Sequence, residues 1–166
     1  LARVEGRIPF GTFGNNIKKI PRSEIANPCG DVSRFVKSKH LLDGSAVIVC
    51  GFNKTRIQLN AKIRDHNNFT EHTPMIGDRV ICLKNNKRSN VPLYNGAHGT
   101  VRHIVKNPHL KYARSVIEMD GVNEDMFRGK MLYEAFAKEK FNSYNTGVGQ
   151  EVFDYGYAIT AHKSQG

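Results

Sequence analysis

Ala46-Val47-Ile48-Val49-Cys50 forms an unbroken apolar run, and it indicates the fold class more directly than any other part of the chain. Apolar residues that do not alternate with polar ones are typical of a strand covered on both faces, which is the usual condition of a strand in a parallel sheet. A short turn and a polar segment follow the run. We therefore predict the strand and helix of a βα unit in an α/β fold.

The segment after this run has the spacing of a helix. Ile57 and Ala61 recur at helical intervals with polar residues between them, and Asn53 is the predicted N-cap. In a βα unit, the turn between strand and helix lies at the ligand-facing edge of the sheet. The sequence therefore predicts that this turn is open to a phosphate-bearing ligand.

Short strands and tight turns predict an antiparallel unit in the middle of the chain. Asn95-Gly96 and Asp120-Gly121 favour tight hairpins because both dipeptides tolerate positive φ. The predicted strands are Arg79–Leu83, Gly99–Val105 and Ser115–Met119. We interpret residues 75–150 as a small antiparallel barrel or meander inserted into an α/β framework.

Weaker patterns fill the rest of the chain. Glu124–Lys140 is predicted to be partly helical, and Val152–Ile159 has the character of a buried strand. Near the amino terminus we predict a brief strand at Ile17–Ile20 and a helical turn at Ser33–Lys39, with Asp31 as its N-cap. The α/β framework is thus predicted to resume near residue 151.

Composition is that of an ordinary globular protein, but the charge is uneven. Hydrophobic residues make up 39% and charged residues 24% of the 166 residues. Residues 1–112 hold 19 basic and 7 acidic residues, whereas residues 113–166 hold 6 and 8. A basic region attracts polyanions, most often nucleic acid, although it can also be a solvated surface that keeps the protein in solution.

Other sequence features exclude several classes of protein. No apolar run has membrane-spanning length and no signal peptide is evident, so we expect a cytoplasmic protein without a membrane partner. The three cysteines are far apart, and His98, His103 and His109 are too loosely spaced to be metal ligands. We therefore expect neither a disulfide framework nor a metal site.

A cluster of polar side chains follows the predicted strand at Tyr155–Ile159. The residues Thr160-Ala161-His162-Lys163-Ser164-Gln165-Gly166 bring hydroxyls, an imidazole, an ammonium and an amide together. At the carboxyl end of a strand in an open α/β sheet, backbone N–H groups and the start of a following helix face one crevice. Such a crevice suits phosphates.

This cluster closely resembles motif V of superfamily 1 DNA helicases in the RecD-like and Dda-like branch, which reads Tyr-Ala-x-Thr-x-His-Lys-Ser-Gln-Gly. Val47–Asn60 is similar to the strand-to-helix element of that branch's second motor domain. Gly77–Asn86, with Asn95–Val101, is similar to the SH3-like insertion of the same helicases. The three segments occur in the family's order.

The resemblance implies an α/β fold in which a partial RecA-like parallel sheet domain, residues 1–74 and 151–166, is interrupted by a small SH3-like antiparallel β-barrel at 75–150. It implies a fragment of an ATP-dependent DNA helicase that grips single-stranded DNA and couples this grip to ATP. No Gly-x-x-x-x-Gly-Lys-Ser/Thr loop is present. We therefore expect no catalytic residue here, and ATP and Mg²⁺ are expected to act in the intact enzyme with the first motor domain as partner.

The resemblance also implies the site residues. Thr160 and His162 belong to the DNA-facing side, whereas Lys163, Ser164, Gln165 and Gly166 couple to the nucleotide. Asn53, Thr55 and Arg56 resemble the family's Asn-x-Thr-Arg stretch and are predicted to contact nucleic acid. The alternatives are that Thr160 caps a helix, that His162 binds a backbone carbonyl, that Asn53 is only a helix cap and that Arg56 is only a surface residue.

A basic set in residues 75–150 is a further candidate interface. Lys84 and Arg102 are its predicted nucleic-acid ligands, and the other members are Lys87, Arg88, Lys106 and Lys111, with Tyr94 and His98 near a hairpin. A solvated loop is the alternative for this set. Two rival functions also stay open: a stand-alone SH3-like nucleic-acid-binding module without motor activity, and a structural or protein-interaction domain.

Overall fold

The computed structural model describes residues 11–13, 17–19, 31–122, 126–141, 146–147 and 149–161. The chain divides after Ser38 into two units. In the first unit, β1 (Gly11–Phe13) pairs antiparallel with β2 (Ile17–Lys19), and α1 spans Asp31–Val36. The strand and the helical turn predicted in this unit are confirmed, and the helix begins at the predicted cap residue itself.

The second unit begins at Lys39 and contains one long helix and eight strands among its described residues. In chain order its elements are a 3-10 turn at Lys39–Leu41, β3 (Ile48–Cys50), α2 (Asn53–His66), β4 (Arg79–Cys82), β5 (His98–Val105), β6 (Tyr112–Met119), β7 (Met126–Leu132), a 3-10 turn at Tyr133–Ala135, β8 (Gln150–Glu151), β9 (Phe153–Tyr155) and β10 (Ala158–Thr160). The mixed α/β class predicted from the sequence is confirmed.

β3 and β10 form a two-stranded parallel sheet, as the apolar run predicted. Ala158 pairs with Ile48 and Thr160 with Cys50, across more than a hundred residues of chain. α2 packs against β10 and places Asn60 on the edge of that strand. The Asn60 side chain accepts a hydrogen bond from the Ala158 N–H (2.7 Å) and donates to the Ala158 carbonyl (3.0 Å). The Asn60 side-chain amide thus makes the backbone hydrogen bonds that a neighbouring strand would make at this edge of β10.

The prediction that the β3 run is covered on both faces is wrong for the described residues. Val47 and Val49 are 39% and 51% exposed, and Phe52, in the turn to α2, is 76% exposed. Side chains alternate across a strand, so these two valines share one face. β10 pairs with one edge of β3, and no described strand pairs with the other edge.

The other strands form a six-stranded mixed sheet in the order β8-β7-β6-β5-β4-β9. Its three predicted strands are confirmed as β4, β5 and β6, and both predicted turns contain a glycine with positive φ, 90° at Gly96 and 74° at Gly121. The sheet is apolar on its inner face, where the rings of Phe127 and Phe153 lie 5.6 Å apart. This face is the main core of the unit.

The two outer strands of this sheet are consecutive in the chain. Only Val152 separates β8, which pairs in parallel with β7, from β9, which pairs antiparallel with β4. The sheet must therefore curl until both of its ends reach one stretch of chain. Across the described strands no ladder joins β8 to β9, so the predicted closed barrel is replaced by a curled sheet. β9 belongs to this sheet, and the parallel pair resumes at β10.

The prediction of partial helix over residues 124–140 is wrong where the structure describes them. Met126–Leu132 is β7, which pairs along its whole length with β6, and in the described part of this segment the only helical residues are the 3-10 turn Tyr133–Ala135. Burial of Phe127 and Met131 on the inner face favours the strand over the local helical preference.

A buried carboxylate connects α2 to both sheets. Asp78, just before β4, accepts two hydrogen bonds from the Arg64 guanidinium (2.9 and 3.1 Å) and one from the Met75 N–H (2.8 Å). The Tyr157 hydroxyl donates to the same carboxylate at 2.9 Å and accepts from the Arg79 N–H. Because Tyr157 directly precedes β10, this network fixes where β10 begins.

The search for membrane-spanning segments is negative over the described ranges, which contain no helix that is both long and apolar enough to cross a bilayer.

Candidate nucleic-acid interface

A crevice of about 400 Å³ opens at the carboxyl end of β10, beside the first turn of α2. We call it the Thr160 crevice. Its polar lining comes from four separate stretches of the chain and consists of Asn53, Arg56, Lys138, Glu139, Lys140, Asp154 and Thr160. The sequence predicted separately that the strand-to-helix turn and the end of the last strand are open to a phosphate-bearing ligand, and the structure places Asn53 and Thr160 in the lining of one crevice.

Thr160 lies at the inner end of this crevice and is only 8% exposed. It pairs with Cys50 in the parallel ladder, and the Ala161 N–H donates to the Cys50 carbonyl at 3.0 Å. Within the described part of the chain, the Thr160 hydroxyl has no hydrogen-bond partner. The hydroxyl is therefore available to a ligand in the crevice.

The floor of the crevice is a buried ion pair between Arg56 and Asp154. Asp154 also accepts hydrogen bonds from the Ala137 N–H (3.0 Å) and the Tyr155 N–H (2.8 Å). Burial raises the pKa of the Asp154 carboxyl, and the positive charge of Arg56 offsets part of that rise. The ion pair holds α2 against β9, although Arg56 and Asp154 are 98 residues apart in sequence.

Arg56 is not the surface residue that one reading of the sequence proposed. Besides Asp154, its guanidinium binds the Lys138 carbonyl (2.7 Å) and donates from Nε to the Asn53 side-chain oxygen (3.2 Å). Arg56 therefore positions Asn53, and its predicted contact with nucleic acid stays a prediction. Asn53 is not the cap either, because α2 begins at Asn53 and Phe52 occupies the cap position without a side-chain hydrogen bond.

Two lysines at the mouth of the crevice were missed by sequence reasoning. Lys138 and Lys140 are exposed, and neither ammonium group pairs with a carboxylate in the described residues. They follow the Tyr133–Ala135 turn, in a segment whose local pattern predicted helix. Nothing in that pattern indicates that the curled sheet brings them to the end of β10.

The donor set of the crevice suits a phosphate better than a metal ion. Mg²⁺ prefers oxygen ligands, chiefly carboxylates, but the buried Asp154 carboxylate is already occupied by Arg56 and two N–H donors. Across the described residues, no group of three or more His, Cys, Asp or Glu side chains is arranged to hold a metal ion. The groups that remain are a hydroxyl, an amide, two ammonium groups and the single exposed carboxylate of Glu139, and the first four bind phosphate oxygens well.

The other predicted site residues are dispersed or lie outside the described residues. Thr55 is exposed in the first turn of α2. Lys84 lies elsewhere and donates to the Thr146 hydroxyl at 3.0 Å, whereas Arg102 pairs with Glu118 on the outer face of the curled sheet. The residues outside the described part are His162, Lys163, Ser164, Gln165 and Gly166.

Comparison of the chain with protein-family models, with curated proteins and with solved structures finds no match.

Proposed function

We propose that the chain is the strand-gripping part of an ATP-dependent DNA helicase, formed by part of its second RecA-like motor domain and an SH3-like insertion. The Thr160 crevice is the observation that carries the proposal. Among the described residues, the hydroxyl of the mostly buried Thr160 has no hydrogen-bond partner, and it borders a cavity with the oriented Asn53 amide and two lysines that pair with no carboxylate. Each group is a hydrogen-bond donor suited to a phosphate oxygen.

The chemistry of the crevice agrees with a grip on the sugar-phosphate backbone. A motor that moves along a strand must hold every sequence equally, so it uses phosphate and sugar contacts rather than base edges. In this proposal the Thr160 hydroxyl and the Asn53 amide donate to phosphate oxygens, and Lys138 and Lys140 supply positive charge. Arg56 and Asp154 position the Asn53 amide, and a direct contact of Arg56 with the strand stays a prediction.

The architecture supports the motor interpretation in its coarse features. The β3-to-α2 connection and the parallel β3–β10 pair are what a RecA-like sheet edge requires, and the curled sheet lies between them in the chain. In the intact helicase, ATP and Mg²⁺ are held with the first motor domain, and Lys163, Ser164, Gln165 and Gly166 sense the nucleotide. When the motor domains close, this half releases and regrips the strand.

A second candidate function is a stand-alone SH3-like nucleic-acid-binding module. Exposed cations within residues 75–150 favour it: Lys87, Arg88 and Arg114 have no carboxylate partner in the described parts of the chain. This candidate does not require the Thr160 crevice. A variant that disables the crevice therefore separates the two functions.

Replacing Thr160 with Val is expected to weaken binding of a single-stranded oligonucleotide by about 10-fold or more. The substitution keeps the shape of the side chain and removes the hydroxyl, and a hydrogen bond to a charged group contributes about 1.5–3 kcal/mol. Because the hydroxyl has no partner among the residues that the structure describes, the free energy of unfolding is expected to change by less than about 0.5 kcal/mol. Fluorescence anisotropy measures the first quantity and urea denaturation the second.

Thr160→Ser is the matched control, since it retains the hydroxyl and loses only a methyl group. We expect its affinity to stay within about threefold of the wild type. Equal affinities for the valine variant, the serine variant and the wild type would reject the crevice as the grip. If the oligonucleotide still binds in that case, the stand-alone module is the better description.

A further inference from the structure

A second groove lies on the outer face of the curled sheet, across β5, β6 and β7. It encloses about 440 Å³, and we call it the sheet groove. Its lining residues are His103, Arg114, Ser115, Val116, Arg128, Gly129 and Lys130. None of these residues lines the Thr160 crevice, and none was predicted from the sequence to be a nucleic-acid ligand.

The cations of the sheet groove are not neutralised by the protein. Arg114, Arg128 and Lys130 have no carboxylate partner in any part of the chain that the structure describes. Three other cations of the unit differ in this respect: Arg102 pairs with Glu118, Lys106 with Glu71 and Lys111 with Glu134. The sheet groove therefore offers three available cations on one face, whereas half of the basic set predicted from the sequence is paired with carboxylates.

The strand register places these charges against one another. Arg114 on β6 is directly opposite Lys130 on β7, and Arg128 is opposite Val116 on the same face. Like charges directly across a ladder destabilise a sheet. An anion bound between the two strands removes this repulsion, so the arrangement suits a ligand that carries several negative charges.

The shape of the groove favours a single strand of nucleic acid. Three adjacent strands span about 10 Å, which leaves room for more than one phosphate of an extended single strand. The neighbouring Tyr112 ring lies 5.0 Å from the Lys130 ammonium and is partly exposed. An aromatic ring beside a cationic sheet face is a platform on which a base stacks.

We propose that the sheet groove binds the phosphodiester backbone of a single-stranded nucleic acid, with Arg114, Arg128 and Lys130 as its phosphate ligands. This inference deepens the proposed nucleic-acid function, on which it rests, and it adds a second contact region to the Thr160 crevice. A nucleic-acid strand that is bound at both the sheet groove and the Thr160 crevice stays attached to the SH3-like insertion while the motor portion releases and regrips it.

The test compares two triple variants that lose the same charge. In the groove variant, Arg114, Arg128 and Lys130 are replaced with Gln, and in the control variant the ion-paired Arg102, Lys106 and Lys111 are replaced with Gln. Binding of a fluorescent oligothymidylate to the 166-residue chain is measured by anisotropy over a range of salt concentrations. We expect the groove variant to lose at least about 10-fold in affinity and its salt slope to fall by about 2, since each phosphate contact contributes about 0.7.

The control variant is expected to lose less than about threefold, because its charges are already paired within the protein. Equal losses in the two triple variants would overturn the inference, since bulk charge alone would then be enough for the binding. Single Arg114→Gln and Arg128→Gln variants, at exposed positions, keep the test valid if the triple variant misfolds. Each is expected to lose about threefold while its circular dichroism and melting temperature are unchanged.

Two further comparisons distinguish the sheet groove from the Thr160 crevice and from a surface that binds an acidic protein. If Thr160→Val weakens binding and the groove variant does not, the sheet groove is rejected while the proposed function stands. If the groove variant weakens binding and Thr160→Val does not, the inference stands and the crevice is rejected. Polyglutamate of matched charge is the probe for an acidic protein partner, and groove-dependent binding of polyglutamate without binding of oligothymidylate would overturn the inference.

Discussion

Replacing Asp78 with Ala is expected to lower the free energy of unfolding of the chain by about 3–5 kcal/mol, because the substitution leaves the Arg64 guanidinium buried without its counter-charge. Asp78 is fully buried and accepts hydrogen bonds from Arg64, Tyr157 and the Met75 N–H. Its loss disconnects α2 from β4 and from the start of β10. Urea denaturation followed by circular dichroism measures the change.

Glu118→Ala is the matched control for this prediction. It also removes the carboxylate of an ion pair, but the Arg102–Glu118 pair is half exposed on both sides. Exposed pairs contribute about 1 kcal/mol or less. If the Asp78 variant were no less stable than the Glu118 variant, the buried network would not be what joins the helix to the two sheets.

Replacing Asn60 with Ala is expected to destabilise the chain by about 2–4 kcal/mol. The substitution leaves the Ala158 N–H and carbonyl buried without the partners that the Asn60 amide supplies, and each unsatisfied group costs about 1–3 kcal/mol. It also frees β10 to shift relative to α2. We therefore expect a loss of affinity for single-stranded DNA as well, although Asn60 does not line the Thr160 crevice.

Gln58→Ala is the control on the exposed face of the same helix, where alanine is at least as good a helix former. Its free energy of unfolding and its affinity are expected to stay near the wild-type values. Thermal and urea denaturation of both variants distinguish the two positions. Similar stability of the Asn60 and Gln58 variants would show that the side-chain bridge to β10 contributes little.

The parts of the fold that the sequence predicted are those with strong local patterns. The apolar run at 46–50, the helix from Asn53 and the strands flanked by glycine turns each carry their own hydrophobic periodicity. That Asn53 and Thr160 line one crevice follows from a general property of parallel sheets, in which the carboxyl ends of strands face one edge. Elements of this kind are predictable because their causes lie within a short stretch of chain.

The parts that the sequence did not predict depend on contacts between distant segments. Residues 126–132 contain strong helix formers such as Met131 and Leu132, yet the long ladder with β6 makes them a strand. The partners of cations are also long-range properties. Arg56 was predicted to contact nucleic acid, but Asp154, 98 residues away, binds its side chain.

The sequence also could not predict which basic side chains are paired with carboxylates and which are available to a ligand. Composition correctly shows that the chain is basic, but it cannot show that Arg102, Lys106 and Lys111 are paired with carboxylates while Arg114 and Arg128, in the described part of the chain, are not. Only the strand register brings the latter two beside Lys130 on one face. The two candidate binding surfaces were therefore visible only in part before the fold was known.

Mapping where a single strand of DNA lies on the protein tests the proposed grip directly. A 4-thiothymidine-substituted oligonucleotide is crosslinked to the 166-residue chain, and the modified peptides are identified by mass spectrometry. We predict crosslinks in the segments that border the Thr160 crevice, at residues 53–56, at residues 138–141 and in the peptide that contains Thr160. Crosslinks confined to segments remote from this crevice, with none in those three, would contradict the proposed grip.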